Sequence, residues 1–168
     1  MHKVIIWFVF VAGLSGQVAL AATQGCNEHM ARSTPLSRYD FLLDGKEVRD
    51  NVTGLIWKRC PEGRAWNGTV CTGIAAQYDW PAALALSDGT WRLPNIKELE
   101  SISEVACFSP SINTVVFPGT PHSIGAFLWS SSPYIYHEQR MAAWFFHPDS
   151  GGISINDISS ADFVRMVR

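Results

Sequence analysis

The first apolar run, Val4 to Ala12, follows a basic Lys3 and is broken by Gly13, Ser15, Gly16 and Gln17 before it closes on Ala19-Leu20-Ala21. A membrane span needs about 20 apolar residues in a row, and this run stops well short. A basic start, a short apolar centre and a small-residue end read as a secretory signal over residues 1–21. The stretch 22–38 is polar and irregular, contains Pro35, and reads as an arm that only Cys26 holds down. The globular domain is read as 39–168.

From Tyr39 the pattern turns strand-like. Phe41-Leu42-Leu43 and Glu47-Val48-Arg49 flank Asp44-Gly45, a pair that suits a two-residue type I′ hairpin. After a second turn, Asp50 to Gly54, Leu55 and Trp57 share one strand face and Lys58 points away. Two helices follow. Asp79 caps the first, with Trp80 and Pro81 in its opening turn, where a missing N–H costs nothing. Asn95 caps the second, with Glu98 three residues on as in a capping box; Ile96, Leu99 and Ile102 line one side. The remainder alternates loop and strand. Ser109 to His122 is a long loop, Phe127 to Ser130 a buried strand, and Ser131 to Arg140 a second loop; the two loops are read as the variable surface. Ala142 to His147 and Ile153-Ser154-Ile155 then form a hairpin about Pro148 to Gly152. Strands outnumber helices and run in hairpins, so the fold class is α+β with a mainly antiparallel sheet.

Composition narrows the compartment. Four cysteines, Cys26, Cys60, Cys71 and Cys107, form an even set in a chain bound for export, which implies two disulfides. Three connectivities exist. Cys60 and Cys71 flank a turn-rich stretch and are read as closing it, which leaves Cys26 for Cys107. Zinc lacks a C-x-x-C pair or an H-x-x-x-H partner. Gly25-Cys26 could precede a lipidated cysteine, but Thr23 stands where such sites carry Leu, so the periplasmic or secreted reading is preferred. The formal net charge of −2 offers nothing to nucleic acid in bulk, and no transmembrane segment is expected once the signal is removed.

One ordered set of motifs is specific. Asp50-x-x-Thr53-Gly54-Leu55-x-Trp57 is followed by Trp80-x-x-Ala83 and by Trp91-Arg92-Leu93-Pro94-Asn95-Ile96-Lys97-Glu98-Leu99. Then come Pro110-x-Ile112, Phe117-Pro118, Trp129-Ser130-Ser131-Ser132-Pro133, Trp144, and a closing Val164-Arg165-x-Val167-Arg168. In these residues, from Tyr39 to Arg168, the chain resembles the Lcl C-terminal domain family. The resemblance implies a C-type-lectin-like fold: two helices packed on a small twisted, mainly antiparallel sheet, with a long loop region to one side. The best-known relative, the C-terminal domain of a bacterial collagen-like adhesin, binds sulfated polysaccharides as a trimer. This chain has no Gly-X-Y repeat, so neither trimer nor adhesin role carries over. The formylglycine-generating enzyme is a more distant relative by fold. It works through cysteines late in its domain, and here no cysteine follows Cys107.

Candidate chemistry is sparse. Of the tryptophans outside the signal, Trp57, Trp80, Trp91, Trp129 and Trp144 sit in elements or motifs and are assigned to the core. Trp66, in the disulfide-closed loop beside Arg64, is read as partly exposed. Tyr134, Tyr136 and Arg140 join these two as the ligand-binding candidates. Arg92 is assigned to loop carbonyls and Glu98 to the helix cap. The sequons at Asn51 and Asn67 are read as turns.

Neither a cofactor nor a structural metal is expected. Glu-Pro-Asn, Gln-Pro-Asp and Trp-Asn-Asp, which lectin-type calcium sites use, are absent, and between Phe108 and Gln139 the only acid is Glu138. Asp149, Asn156 and Asp157 are the nearest approach to a cation set. No catalytic motif appears; His137-Glu138 starts like a zinc-protease signature, but position 141 is Met. The reading is an exported, non-enzymatic binding module of the cell envelope whose partner is a polysaccharide or an envelope protein. The alternative is an envelope enzyme acting on sugars or proteins through an Asp/Glu pair.

Overall fold

The computed structural model describes residues 24–136 and 140–168; the signal read at 1–21, His137, Glu138, and the side chains of Tyr136 and Arg140 lie outside it. In chain order the strands and helices are β1 (Gly25–Cys26), β2 (Tyr39–Leu42), β3 (Glu47–Asp50), β4 (Ile56–Lys58), β5 (Arg64–Trp66), β6 (Cys71–Gly73), β7 (Gln77–Tyr78), α1 (Trp80–Ala85), α2 (Ile96–Ser101), β8 (Cys107–Phe108), β9 (Leu128–Tyr136), β10 (Arg140–Phe146), β11 (Ile153–Asp157) and β12 (Asp162–Phe163). This is an α+β fold with two short helices and mostly antiparallel sheets.

The largest sheet runs β11-β10-β9-β12-β7, antiparallel except where β12 lies parallel to β9. Both of its faces are covered. Strand alternation sends Leu128 and Phe146 to one side, where Trp57, Leu99, Ile102, Ile112 and Phe117 wait. It sends Trp129 and Phe145 to the other, onto Trp80, Ala83, Leu93 and Met166. A second sheet, β2-β3-β4, is extended by the chain end: Ile56 N–H donates to the Arg168 carbonyl and Lys58 N–H to that of Met166. Val167 in turn exchanges backbone hydrogen bonds with Arg92, so the closing Val164–Arg168 motif ties β4 to the Trp91 segment.

The caps are those read from sequence. The Asp79 carboxylate accepts from Ala82 N–H at 2.8 Å, and Asn95 and Glu98 bond each other's backbone N–H at 3.0 and 2.8 Å. Both disulfides join the expected pairs, Cys60–Cys71 and Cys26–Cys107.

Four expectations are corrected. The turn after β2 is no two-residue hairpin: Leu42 pairs with Glu47, and Leu43, Asp44 and Gly45 all take positive φ. The arm is docked well beyond its disulfide. Gln24 donates to the Pro110 and Ile112 carbonyls, β1 pairs with β8, and Thr34 is wholly buried against the Glu104 carboxylate. Polar residues hide a docked segment when its contacts are hydrogen bonds, which leave no hydrophobic period. Third, Ser131 onward is no loop but the second half of β9, paired with β10 up to Tyr136–Arg140. Pro133 is tolerated because β9 bulges there: the register shifts between Ala143 and Phe145, and Ser130 to Ser132 oppose Trp144 alone. Lastly, the Ser109–His122 loop is not mere surface, since Ile112, Val116 and Phe117 are buried at the centre of the core.

Candidate binding site

The bulge joins two family motifs. Trp80 Nε1 donates to the Ser130 carbonyl, Ser131 N–H to the Pro94 carbonyl at 2.7 Å, and Ile96 N–H to Ser132 Oγ at 3.0 Å. Ser132 therefore takes one of the free N–H groups at the start of α2. Trp129 Nε1 reaches the Tyr78 carbonyl, and Ser130 Oγ donates to that of Trp144. In the other motif, Asp50 accepts from Arg38, Val52 N–H and Thr53 Oγ1, which closes the turn at Gly54. These are scaffold roles. Trp57, Trp80, Leu99 and Trp129 are buried as expected, and Leu93 and Pro94 are buried with them.

Trp91 and Trp144 are only half-buried, Trp91 packing at the edge of the cluster around Trp80 and Trp129 rather than inside it. Trp144 meets Tyr134 edge-on, 5.5 Å between centroids. Trp91 is held out by the Asp88 turn, whose carboxylate accepts from Thr90 and Trp91 N–H. Two cations lie against its ring: Lys58 Nζ at 5.4 Å and the Arg168 guanidinium at 5.0 Å. Arg92 is reassigned. It forks onto Glu98 at 2.6 and 2.8 Å and leaves the loop carbonyls to others. Burial opposes ionisation of Glu98, but the bonds from Arg92 and from Asn95 N–H outweigh it and hold the carboxyl below its usual range. Lys97 pairs with Glu100 at the surface.

Trp66 is half-buried, as the sequence suggested, because its hairpin is stapled. β5 and β6 pair Trp66 directly with Cys71, and Asn67 closes the turn by accepting from Thr69 and Val70 N–H. Its Nε1 donates to the Asp44 carbonyl at 3.0 Å, and one ring face lies against the Arg59 guanidinium, 4.0 Å from the ring centroid. Arg59 has Phe41 on its other side at 4.4 Å and donates to the carbonyls of Gly45, Val115 and Val116. Gly45 is needed here: at φ +81° its position suits glycine, and a Cβ would come within 2.9 Å of Arg59 and 3.1 Å of Trp66.

Trp66 and Trp91 border one groove of about 390 Å³, shared with Lys46, Lys58, Glu47, Glu62 and Arg64. Lys58 pairs with Glu62 at 2.8 Å, and Arg168 with Glu47 at 2.7 Å. Among the described residues, Lys46 and Arg64 have no carboxylate partner. Just behind, Arg165 is fully buried over the Phe117 ring; it bonds the Lys58 and Arg59 carbonyls and Thr120 Oγ1, again without a carboxylate. Burial, with Arg59 nearby, lowers its pKa to about 9. The groove is thus aromatic at two edges and carries a surplus of positive charge.

The structure joins Trp66 and Arg64 in that groove and places Tyr134 elsewhere, beside Trp144 on the β9–β10 hairpin, the strand pair that also carries Tyr136 and Arg140. Trp91, Lys46 and Lys58 are site residues that sequence reasoning missed. A tryptophan between an Asp-Gly-Thr turn and a helix cap was the available signal for Trp91, since both neighbours belong at the surface. Asp149, Asn156 and Asp157 do not converge: they bond Ser109, Asp162 and Ser159 respectively. Among the described residues no group of three His, Cys, Asp or Glu side chains could hold a metal ion, and no helix is long and apolar enough to cross a membrane. Two disulfides suit an oxidising compartment, extracellular or periplasmic.

No curated protein and no solved structure matches the chain. The family model of the Lcl C-terminal domain matches residues 46–168, from the turn beside Trp66 to the last residue and so across every element that builds the groove, and the chain belongs to the Lcl C-terminal domain family.

Proposed function

We propose that this protein is an exported, non-enzymatic binding module of the cell envelope, with a C-type-lectin-like architecture, that holds an acidic polysaccharide in the Trp66–Trp91 groove. One observation carries the reading: two half-buried indoles border a groove whose Lys46 and Arg64 have no carboxylate partner among the described residues. Indole faces suit the apolar faces of sugar rings, while the cations suit sulfate or uronate groups. The rigid, stapled frame supports binding without a catalytic constellation. Family membership points the same way, since the best-known relative binds sulfated polysaccharides.

The enzyme alternative looks to Glu47 and Glu62, two carboxylates on one groove. Each already holds a cation, Arg168 and Lys58, and neither faces the groove unpaired. A glycan array followed by calorimetry tests the proposal. Sulfated or uronic glycans are expected to bind, more weakly as salt rises, with loss of roughly tenfold in Trp66→Ala and in Trp91→Ala. Silence across acidic glycans, or binding unchanged in both variants, overturns it. Release of reducing ends from bound glycan would favour the enzyme.

A further inference from the structure

A second, larger concavity shares Arg64 with the Trp66–Trp91 groove. It measures about 800 Å³, within the roughly 300–1,000 Å³ of ligand-binding clefts. It runs between the end of the stapled hairpin, at Ile74, and the Gly119–Ile124 segment, with Phe163 in its lining and Ser109 and Asp149 at its border. Its rims are unusual. Among the described residues the two most exposed large hydrophobic side chains are Ile124, fully exposed, and Ile74, 86% exposed, and both line this one groove. Single exposed apolar residues need no explanation. Two facing a common cleft mark a surface that gains by being covered.

The rest of the lining says what covers it. Among the described residues no tryptophan or tyrosine borders the groove, and Phe163 is its one carbocyclic ring, so it has no pair of indole faces like those of the Trp66–Trp91 groove. Arg64 forms part of the wall and donates only to the Gly119 carbonyl, with no carboxylate partner among the described residues. Behind Thr120 stands Arg165, equally without one. His122 gives Nδ1 to the Thr120 carbonyl, which leaves Nε2 as the ring position able to meet a ligand. Asp149, the one carboxylate in the lining among the described residues, already accepts from Ser109. Aliphatic rims around a positive wall complement a chain that sets aliphatic side chains next to an acidic one.

We infer that this groove binds a peptide segment of a partner protein, with aliphatic side chains between Ile74 and Ile124 and an Asp, Glu or C-terminal carboxylate on Arg64. The Trp66–Trp91 groove meets it at Arg64, so one domain can hold a glycan and a protein at adjoining sites.

The test pans a library of random short peptides against the intact, oxidised protein and measures the recovered sequences by fluorescence anisotropy. Recovered peptides are expected to pair Leu, Ile or Val with Asp, Glu or a free C-terminus. Ile74→Asp and Ile124→Asp should each weaken them by roughly tenfold or more, with unchanged melting temperature because both side chains are exposed. Arg64→Gln should weaken acidic peptides while hardly affecting their amide versions. Trp66→Ala should leave peptide binding intact, which separates this site from the glycan groove. Failure to enrich any sequence, or enriched peptides that bind both isoleucine variants as tightly as the unaltered protein, overturns the inference.

Discussion

Removing the Asp50 carboxylate should unfold this domain more readily than any surface change. The side chain is wholly buried. It accepts from Arg38 Nε at 2.6 Å and Nη2 at 2.5 Å, from Thr53 Oγ1 at 2.7 Å and from Val52 N–H at 3.0 Å. Arg38 itself, only 10% exposed at the side chain, also reaches the Ser101 carbonyl at the end of α2. Asp50→Ala therefore strands a largely buried guanidinium, a hydroxyl and an N–H together. Breaking a buried pair from one side costs about 3–5 kcal/mol, and at this chain length each kcal/mol is worth about 2–4 °C, so the melting point should fall by roughly 6–20 °C. Asp50→Asn keeps acceptor oxygen and should lose less. Arg38→Met with Asp50→Asn should cost less than the two singles summed, because each removes the other's unpaired charge. The pH dependence has a definite sign. Burial works against the Asp50 charge, but the bonds from Arg38, Thr53 and Val52 prevail and depress its pKa. This stabilisation is complete above the unfolded value of about 3.9 and is lost as pH falls through the lower folded value. Urea titrations followed by tryptophan fluorescence measure all of this. An Asp50→Ala protein within about 1 kcal/mol of the unaltered one would refute the reasoning.

Three further outcomes follow from the same contacts. Replacing Cys60 and Cys71 by Ser should cost about 3 kcal/mol on a chain-entropy reckoning and expose Trp66, seen as a red-shifted emission and faster amide exchange over 64–73. Glu104 is buried, which opposes its charge, yet bonds from Thr34, Ala106 and Ser33 hold its pKa low; below about pH 4 the arm 24–34 should begin to exchange amide hydrogens while the central sheet stays protected. Thermal melts with EDTA and with millimolar calcium should superimpose. A rise of several degrees with calcium, reversed by chelation, would point to a site built on Asp149 and Asp157.

Local chemistry made several parts of this protein legible from sequence. Helix caps depend on residues a few positions apart, so Asp79, Asn95 and Glu98 announce themselves. Loop closure is likewise local, and the short turn-rich span between Cys60 and Cys71 pointed to its own disulfide. Trp57, Trp80 and Trp129 were placed in the core because large rings inside strands and helices have nowhere else to go. The motif order identified the family.

Tertiary structure decided what depends on distant partners. Thr34 and Gln24 look like arm residues until Glu104 and the Pro110 and Ile112 carbonyls are seen beside them, since a hydrogen bond leaves no periodic trace. Ser131 and Ser132 read as loop, yet the bulge that makes them strand is set by the start of α2 and the residues before it, where the Pro94 carbonyl and Ile96 N–H need Ser131 and Ser132. Trp91 belongs to the same helix-start motif, and only the returning chain end shows why it reaches no further than the edge of the core: Val167 pairs with Arg92, Arg168 lies against the indole, and the ring is left at the edge of the groove. That groove joins Lys46 to Arg64 and Trp91 across three separate stretches of chain. No window of sequence contains it, because side chains far apart in the chain become neighbours only when the strands and the C-terminal segment pack.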